Sequence, residues 1–427
     1  MRKAIVVGSG AGGATAAREL QGKYDVTVLE AGGEFRPFSA NLSRIEILKR
    51  IGLMRDAREI RFLFGQMKAR KTRDRSIMIN GGAIGGTTTL ATGNALRVDH
   101  DLKAIGIDLD AEFEELYREV PVSTDHMKRW YPTTRRAFSI FQDMHLNPHP
   151  MPKMGDSRKC INCGRCVLGC PEGAKWDARK FLKDAMRKGA TVMTECAVER
   201  VIISGGKARG VIFKEGWRTE HLGADLVVLA AGGFGTPAIL KRSGVECEDR
   251  LFVDHVLTIA GRVSGARQNT EISMPFAAQR DGYILAPYFD YLSYFFNRRW
   301  RFRAADTFGI MIKIADDCTG TVHGNRIEKT LTRRDRAKLE EGAATCAEIL
   351  WRLGAKERDI VRGTINGGHP GGMLPLTAED SGTLHPSALP ENLYVADATL
   401  FPNSLGNPPI FTIMALARRV SRMCLEL

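Results

Sequence analysis

One histidine sits in a setting suited to proton transfer. His369 lies within Gly367-Gly368-His369-Pro370-Gly371-Gly372-Met373. An imidazole titrates nearest neutrality of all side chains, so it can take the proton of a hydroxyl group. His255, His323 and His385 are weaker candidates, and His255 more readily serves the fold. Downstream, Leu393-Tyr394-Val395-Ala396-Asp397 reads as a short apolar strand that ends on an acid. A loop broken by Gly406, Pro408 and Pro409 then feeds the start of a helix. Such an element can set an acid and free backbone N–H groups against a cofactor. Asp397 is therefore a candidate cofactor contact, although an Asp capping a turn gives the same pattern.

These groups need a scaffold, and the amino-terminal segment supplies one. Lys3-Ala4-Ile5-Val6-Val7 reads as a strand, and Gly8-Ser9-Gly10-Ala11-Gly12-Gly13 opens a helix with Ala16, Ala17 and Leu20 inward. Asp25 to Leu29 forms a second strand that ends at Glu30. Gly8 suits the tight turn, Gly10 the approach of a pyrophosphate and Gly13 close helix–strand packing. Glu30 is placed to accept hydrogen bonds from an adenosine ribose. Three later segments favour FAD over NAD. Gly81 to Thr88 is a second glycine-rich turn containing Gly85, Gly86 and Thr87. Ala190 to Val198 reads as a strand edge able to hold an adenine. Leu226 to Gly233 is a buried strand whose end carries Gly232, followed by a helix. A second cradle for NADPH is the rival reading, but only one complete fingerprint is present.

Cys160, Cys163, Cys166 and Cys170, followed by Pro171, have the spacing C-x2-C-x2-C-x3-C-P. That is the bacterial ferredoxin pattern for a [4Fe–4S] cluster. The chain has one copy, so Cys170 must bend back or another group must serve as fourth ligand. Zinc and metal-free cysteines are the rival readings. Four cysteines within eleven residues argue against structural disulfides in a cytosolic setting. The scattered Cys196, Cys247, Cys318, Cys346 and Cys424 fit buried apolar roles. A cluster could pass electrons singly from a reduced flavin to an acidic ferredoxin.

The order of these segments resembles the glucose–methanol–choline (GMC) oxidoreductases, especially the cholesterol-oxidase-like and long-chain-alcohol-oxidase-like branch. Gly85-Gly86-Thr87-Thr88 resembles the first glycine signature of that family. Gly232 to Leu240, running on to Ser243-Gly244, resembles the second, and Asp254-His255 looks like its Asp-His pair. The resemblance implies an α/β fold: a Rossmann-like FAD-binding domain with an inserted α+β substrate domain. The expected boundaries are 1–250 for the first part of the FAD domain, including the cysteine motif at 155–175. The substrate domain is expected at 251–360 and the rest of the FAD domain at 361–427. His369 resembles the family's catalytic histidine in His-Pro-x-Gly-Gly, one residue short. The second catalytic group, an Asn or His in Gly-x-Asn-Pro-x-x-Thr, falls by counting on Pro408, with Asn407 one residue early. Ala91 stands where the first signature carries an Asn, and Asn94 is near. The family also keeps part of the cysteine run, here Gly169-Cys170 and Gly173-Ala174-Lys175, without a cluster.

The expected activity is FAD-dependent oxidation of a CH–OH group, with electrons passing through the cluster. A ferredoxin-driven reductase of a carbonyl or alkene is the first alternative. A non-catalytic electron-transfer or nucleic-acid-binding flavoprotein is the second. The net charge of +13 suits an acidic partner. Basic clusters lie at Lys68 to Arg75 and Arg298 to Arg303, the latter interleaved with aromatics from Tyr288 to Phe302. A solvated basic face over core aromatics is favoured there over a lipid surface. No recognised nucleic-acid module accompanies the charge. No stretch approaches roughly 20 uninterrupted apolar residues, so no membrane span is expected. The strand-like start leaves no room for a signal peptide, and a cytoplasmic location is expected.

Overall fold

The first apolar run forms β1 (Arg2–Val7), whose last four residues are buried, as a strand covered on both faces requires. The computed structural model describes residues 1–38, 42–50, 54, 56–60, 64–324 and 326–426. After β1 the chain turns at Gly8, whose N–H donates to Leu29 O at 2.8 Å, and enters α1 (Ala11–Leu20). It then returns through β2 (Tyr24–Leu29), parallel to β1. Gly13 lets α1 lie directly on this turn: a Cβ there would sit 1.9 Å from Gly8 O. Later segments add β3 (Thr191–Met193) beside β2 and β4 (Leu226–Leu229) beside β1, both parallel. Helix α2 (Gly232–Arg242) follows β4.

Among the described residues, a second sheet has nine strands, and a cavity lies between it and the first. Its centre is β5 (Val256–Arg262), β6 (Tyr283–Pro287) and β7 (Thr307–Ile314), joined antiparallel in the order β5-β7-β6. Side chains alternate along β7. Ile310, Ile312 and Ile314 pack with Leu339, Ala343, Ile349 and Leu350 of α3 (Arg333–Arg352). Met311 and Lys313 face the other way, into a cavity between the two sheets. A capping box stands at Thr332, with the Thr332 hydroxyl accepting from Asp335 N–H and the Asp335 carboxylate from Thr332 N–H. The short β8 (Asn366–Gly367) pairs with β5, opposite Val256.

The chain then rejoins the first sheet. β9 (Leu393–Val395) adds parallel to β4 and gives the order β9-β4-β1-β2-β3. From its end a loop leads into α4 (Ile410–Leu425), which packs in one apolar core with α1. Arg418 anchors α4: fully buried, it pairs with Glu19 at 2.9 Å, Glu115 at 3.1 Å and Glu119. The aromatics Phe289, Tyr291, Tyr294, Phe295 and Trp300 share a buried cluster, whereas Arg298, Arg299, Arg301 and Arg303 are exposed. Among the described residues, no helix is long and apolar enough to cross a membrane.

Removing the Thr332 cap orphans the Asp335 N–H. Thr332→Ala is expected to cost about 1 kcal/mol, read as a lower urea midpoint with an unchanged slope.

Candidate active site

A cavity of about 540 Å³ runs between the two sheets. One end is built by the glycine turns. Gly8, Gly10, Glu30, Val198 and Gly232 line it, with Gly86 and Thr87 from the second turn. Two of the expected contact residues stand behind the wall. Gly13 serves packing, as above, and the Gly85 N–H donates to Ser9 Oγ at 2.9 Å, tying the two glycine turns together. The Glu30 carboxylate accepts from Ser9 N–H (3.1 Å), Ser9 Oγ (2.5 Å) and Gly32 N–H (2.7 Å). It therefore fixes the turn while still facing the cavity. Ala91 and Asn94 both line the cavity. Asn94 is held by Lys153 Nζ at 2.5 Å and by the sulfur of Met274 at 3.2 Å.

Asp397 links three elements. Its carboxylate accepts from the Gly232 N–H at 2.8 Å, the Thr236 hydroxyl at 2.6 Å and the Thr399 N–H at 2.9 Å. It caps the turn Ala398–Leu400 and also lines the cavity, so the capping and cofactor-facing readings coexist. Burial pushes its carboxyl above the usual range against these hydrogen bonds. Pro408, Pro409 and Ile410 bring the start of α4 to the same wall. No side chain caps that start, so its first free N–H groups are available to negative charge.

At the other end stands His369. Its side chain is 28% exposed and its Nδ1 lies 3.3 Å from Asp254 Oδ2. Gly233 brings α2 hard against this loop, since a Cβ there would lie 2.0 Å from Pro370 O. Asp254 is a buried non-glycine residue in the left-handed region (φ 51°), a costly conformation that its many partners enforce. Lys313 Nζ meets Asp254 Oδ2 at 2.9 Å, while the Ser404 hydroxyl and the Gly406 N–H approach Oδ1 at 2.5 and 3.3 Å. Burial raises the Asp254 carboxyl, but Lys313 and His369 outweigh it and hold it below its usual range. For His369, burial and the Lys313 charge lower the pKa and outweigh the opposing pull of Asp254.

Behind this pair lies a second one. Asp316 accepts from the N–H groups of Val253 and Asp254 and pairs with Lys329 at 2.8 Å and His255 at 3.3 Å. His255 is thus wholly buried and away from the cavity lining. Asn407 is turned elsewhere. Its Oδ1 accepts from Gln279 Nε2 at 2.7 Å, its Nδ2 donates to Leu405 O at 3.2 Å, and Pro408 takes the cavity wall. Lys313 and Asp316 were absent from the sequence reading. The one available signal was a lone lysine inside the otherwise uncharged strand Thr307–Ile314.

The four cysteines of the ferredoxin-like run line a separate cavity of about 60 Å³. All are free, half-buried thiols. Among the described residues, no three His, Cys, Asp or Glu side chains are grouped to hold a metal ion. The loop is not far from the larger cavity, because Val167 and Leu168 line that one while Cys166 lines the smaller. Lys175, buried between them, donates to the carbonyls of Thr88, Thr89, Ala91 and Cys166 at 2.7–3.1 Å.

Comparison with known proteins places the chain among oxidoreductases. Residues 3–259 match the family model described as GMC oxidoreductase. The uncharacterized protein MJ1450 of Methanocaldococcus jannaschii is 28% identical over 424 residues, covering 98% of each chain. The long-chain-alcohol oxidase FAO1 of Arabidopsis thaliana is 24% identical, covering 99% of this chain and 66% of its own. In fold, the chain superimposes on the crystal structure of pyridoxine 4-oxidase from Mesorbium loti with a TM-score of 0.69 at 16% identity, over 99% of both chains.

Deleting one partner of a buried ion pair strands the other. Asp254→Ala is expected to cost about 3–5 kcal/mol in urea unfolding, and Asp254→Asn less. A loss no larger than that of an ordinary surface substitution would contradict the pairing.

Proposed function

The chain belongs to the GMC oxidoreductase family, and we propose that it is an FAD-dependent oxidoreductase acting on the CH–OH group of a small-molecule alcohol. One observation carries this reading: a single cavity has the glycine turns at one end and His369, braced by Asp254, at the other. The residues fit FAD. The start of α1 has no side-chain cap and opens on the cavity at Gly8 and Gly10, where a Cβ on Gly10 would meet nothing within 4 Å. Gly8, Gly10, Gly86, Thr87 and Gly232 would hold the phosphate side, and Val198 the adenine. Glu30 would accept from the ribose. Asp397, Pro408 and the start of α4 would face the flavin end. FAD bound there supplies the two-electron oxidant that accepts hydride from the alcohol carbon.

The protein's part is to orient the hydroxyl and remove its proton. Asp254 accepts from Nδ1–H of His369, which fixes the tautomer and leaves Nε2 free as the base. The unprotonated imidazole is the active form. Because burial depresses its pKa, that form persists to lower pH than a free histidine would allow. Proline and glycine neighbours keep the ring on a tight loop that follows β8 and packs against α2 at Gly233.

A finer proposal concerns the cysteine loop: that Cys160, Cys163, Cys166 and Cys170 take up a [4Fe–4S] cluster serving as a one-electron outlet toward an acidic ferredoxin. Its supports are the spacing, the cavity that all four thiols share, and the wall this loop shares with the larger cavity. The positive net charge favours an acidic carrier. The thiols would have to draw together, since no metal-holding group stands among the described residues.

Two outcomes test these readings. His369→Ala is expected to keep FAD but slow flavin reduction by an alcohol about 10²–10⁴-fold. In the wild type, the rate should stay level through neutral pH and fall only on acidification below the ordinary histidine range of about 6.5. An unchanged rate in His369→Ala would remove it as the base. For the loop, anaerobic purification is expected to yield about four irons with acid-labile sulfide per FAD. Zinc, or no metal, would sink the cluster.

A further inference from the structure

A hydroxyl oxygen that gives up its proton gathers negative charge and needs a hydrogen-bond donor beside the base. Asn407, the residue nearest that role by spacing, is spent on Gln279 and Leu405. Asn366 lines the cavity near His369, but its amide donates to Thr364 O at 3.1 Å. Lys313 has donors to spare. Its side chain is 1% exposed, it lines the same cavity, and among the described residues its one close partner is Asp254 Oδ2 at 2.9 Å. That contact is an ion pair outside good hydrogen-bond geometry, so among the described residues the ammonium has no well-directed hydrogen-bond partner. An ammonium carries three donors, and leaving them idle in a buried place is costly.

Position supports the same conclusion. On β7 the alternation sends Lys313 and Met311 to the cavity face while their isoleucine neighbours fill the core. Lys313 stands opposite Val256, which pairs on its other side with Asn366, three residues before His369. Lys313 and His369 both approach one oxygen, Asp254 Oδ2, at 2.9 and 3.3 Å. Lys313 Nζ and His369 Nδ1 are therefore no more than about two hydrogen-bond lengths apart, and both side chains line the same cavity, where Nε2 on the far side of the ring and the ammonium are open to one substrate hydroxyl.

We propose that Lys313 is a catalytic residue that donates a hydrogen bond to the oxygen of the substrate hydroxyl while His369 Nε2 receives its proton. The inference rests on the reading of the site as alcohol-oxidising. Its charge balance also narrows the substrate. Asp254 already compensates Lys313, so the pocket favours a neutral alcohol over one bearing a carboxylate or phosphate beside the reacting carbon.

The test uses full-length, FAD-loaded protein with benzyl alcohol as reactive probe and benzamide as unreactive carbonyl probe. K313M is expected to slow anaerobic flavin reduction by about 10²–10³-fold, as loss of one such donor does elsewhere, with K313R restoring part of the rate. Difference infrared spectra should place the carbonyl stretch of benzamide lower in the wild type than in K313M. Should K313M fail to hold FAD, the neutral pair D254N/K313M is compared with D254N in the same two assays. An active wild type with an unchanged rate in the variant, or an unmoved carbonyl stretch, overturns the role of Lys313. A wild type that shifts the benzamide carbonyl yet reduces no flavin overturns the alcohol-oxidising reading instead.

Discussion

The site depends on one buried carboxylate. Asp254 sits in the left-handed backbone region, uncommon for a non-glycine residue, and its surroundings hold it there. Those surroundings come from four parts of the chain. Lys313 arrives from the second sheet, His369 from the loop after β8, Ser404 and Gly406 from the loop before α4, and the Asp254 N–H is taken by Asp316. A carboxylate in so dry a place would ordinarily be costly. Here one ammonium, Lys313, and three hydrogen-bond donors, from His369, Ser404 and Gly406, stabilise it. The same contacts set the ring of His369 and tie it to the loop that leads to α4. Replace Asp254 by a side chain that accepts no hydrogen bond and the brace on the base is lost.

The other end of the cavity is assembled by a comparable device. Glu30 binds the first glycine turn to itself, and Ser9 carries that order on to the second turn through the Gly85 N–H. Asp397 does the same for the end of β4 and the start of α2. Each acid satisfies backbone N–H groups that would otherwise face an apolar interior, and each keeps one edge on the cavity. The result is a preorganised wall in which few groups must move to receive an anionic cofactor. Lys175 extends this wall to the cysteine loop by gathering carbonyls from both sides. Its ammonium thereby ties the Cys166 carbonyl to those of Thr88, Thr89 and Ala91.

Much of the nucleotide end was legible in the sequence because its signals are local. Strand, glycine turn, helix, second strand and Glu30 all lie within the first thirty residues, and periodicity alone orders them. The capping box at Thr332 was readable for the same reason. Long-range pairing was not. His369 lies 115 residues from Asp254, and nothing in the spacing announces their contact. Lys313 was overlooked because a strand of alternating apolar residues hides which face points to a cavity. Counting along the loop offered Asn407, but Gly406 turns with φ 59° and Gln279, from a distant strand, captures the amide. The cysteine spacing was equally plain, yet spacing cannot say whether four thiols converge. In the described residues they share a cavity without forming a metal-holding group.

The central chemical claim is that this cavity removes hydrogen from an alcohol carbon. The direct measurement is anaerobic single-turnover bleaching of the bound flavin with benzyl alcohol and with its α,α-dideuterated form. Bleaching by both, slower with the deuterated alcohol and accompanied by one benzaldehyde per flavin, is the expected result. A flavin that no primary alcohol bleaches, but that reduced ferredoxin does, would contradict it.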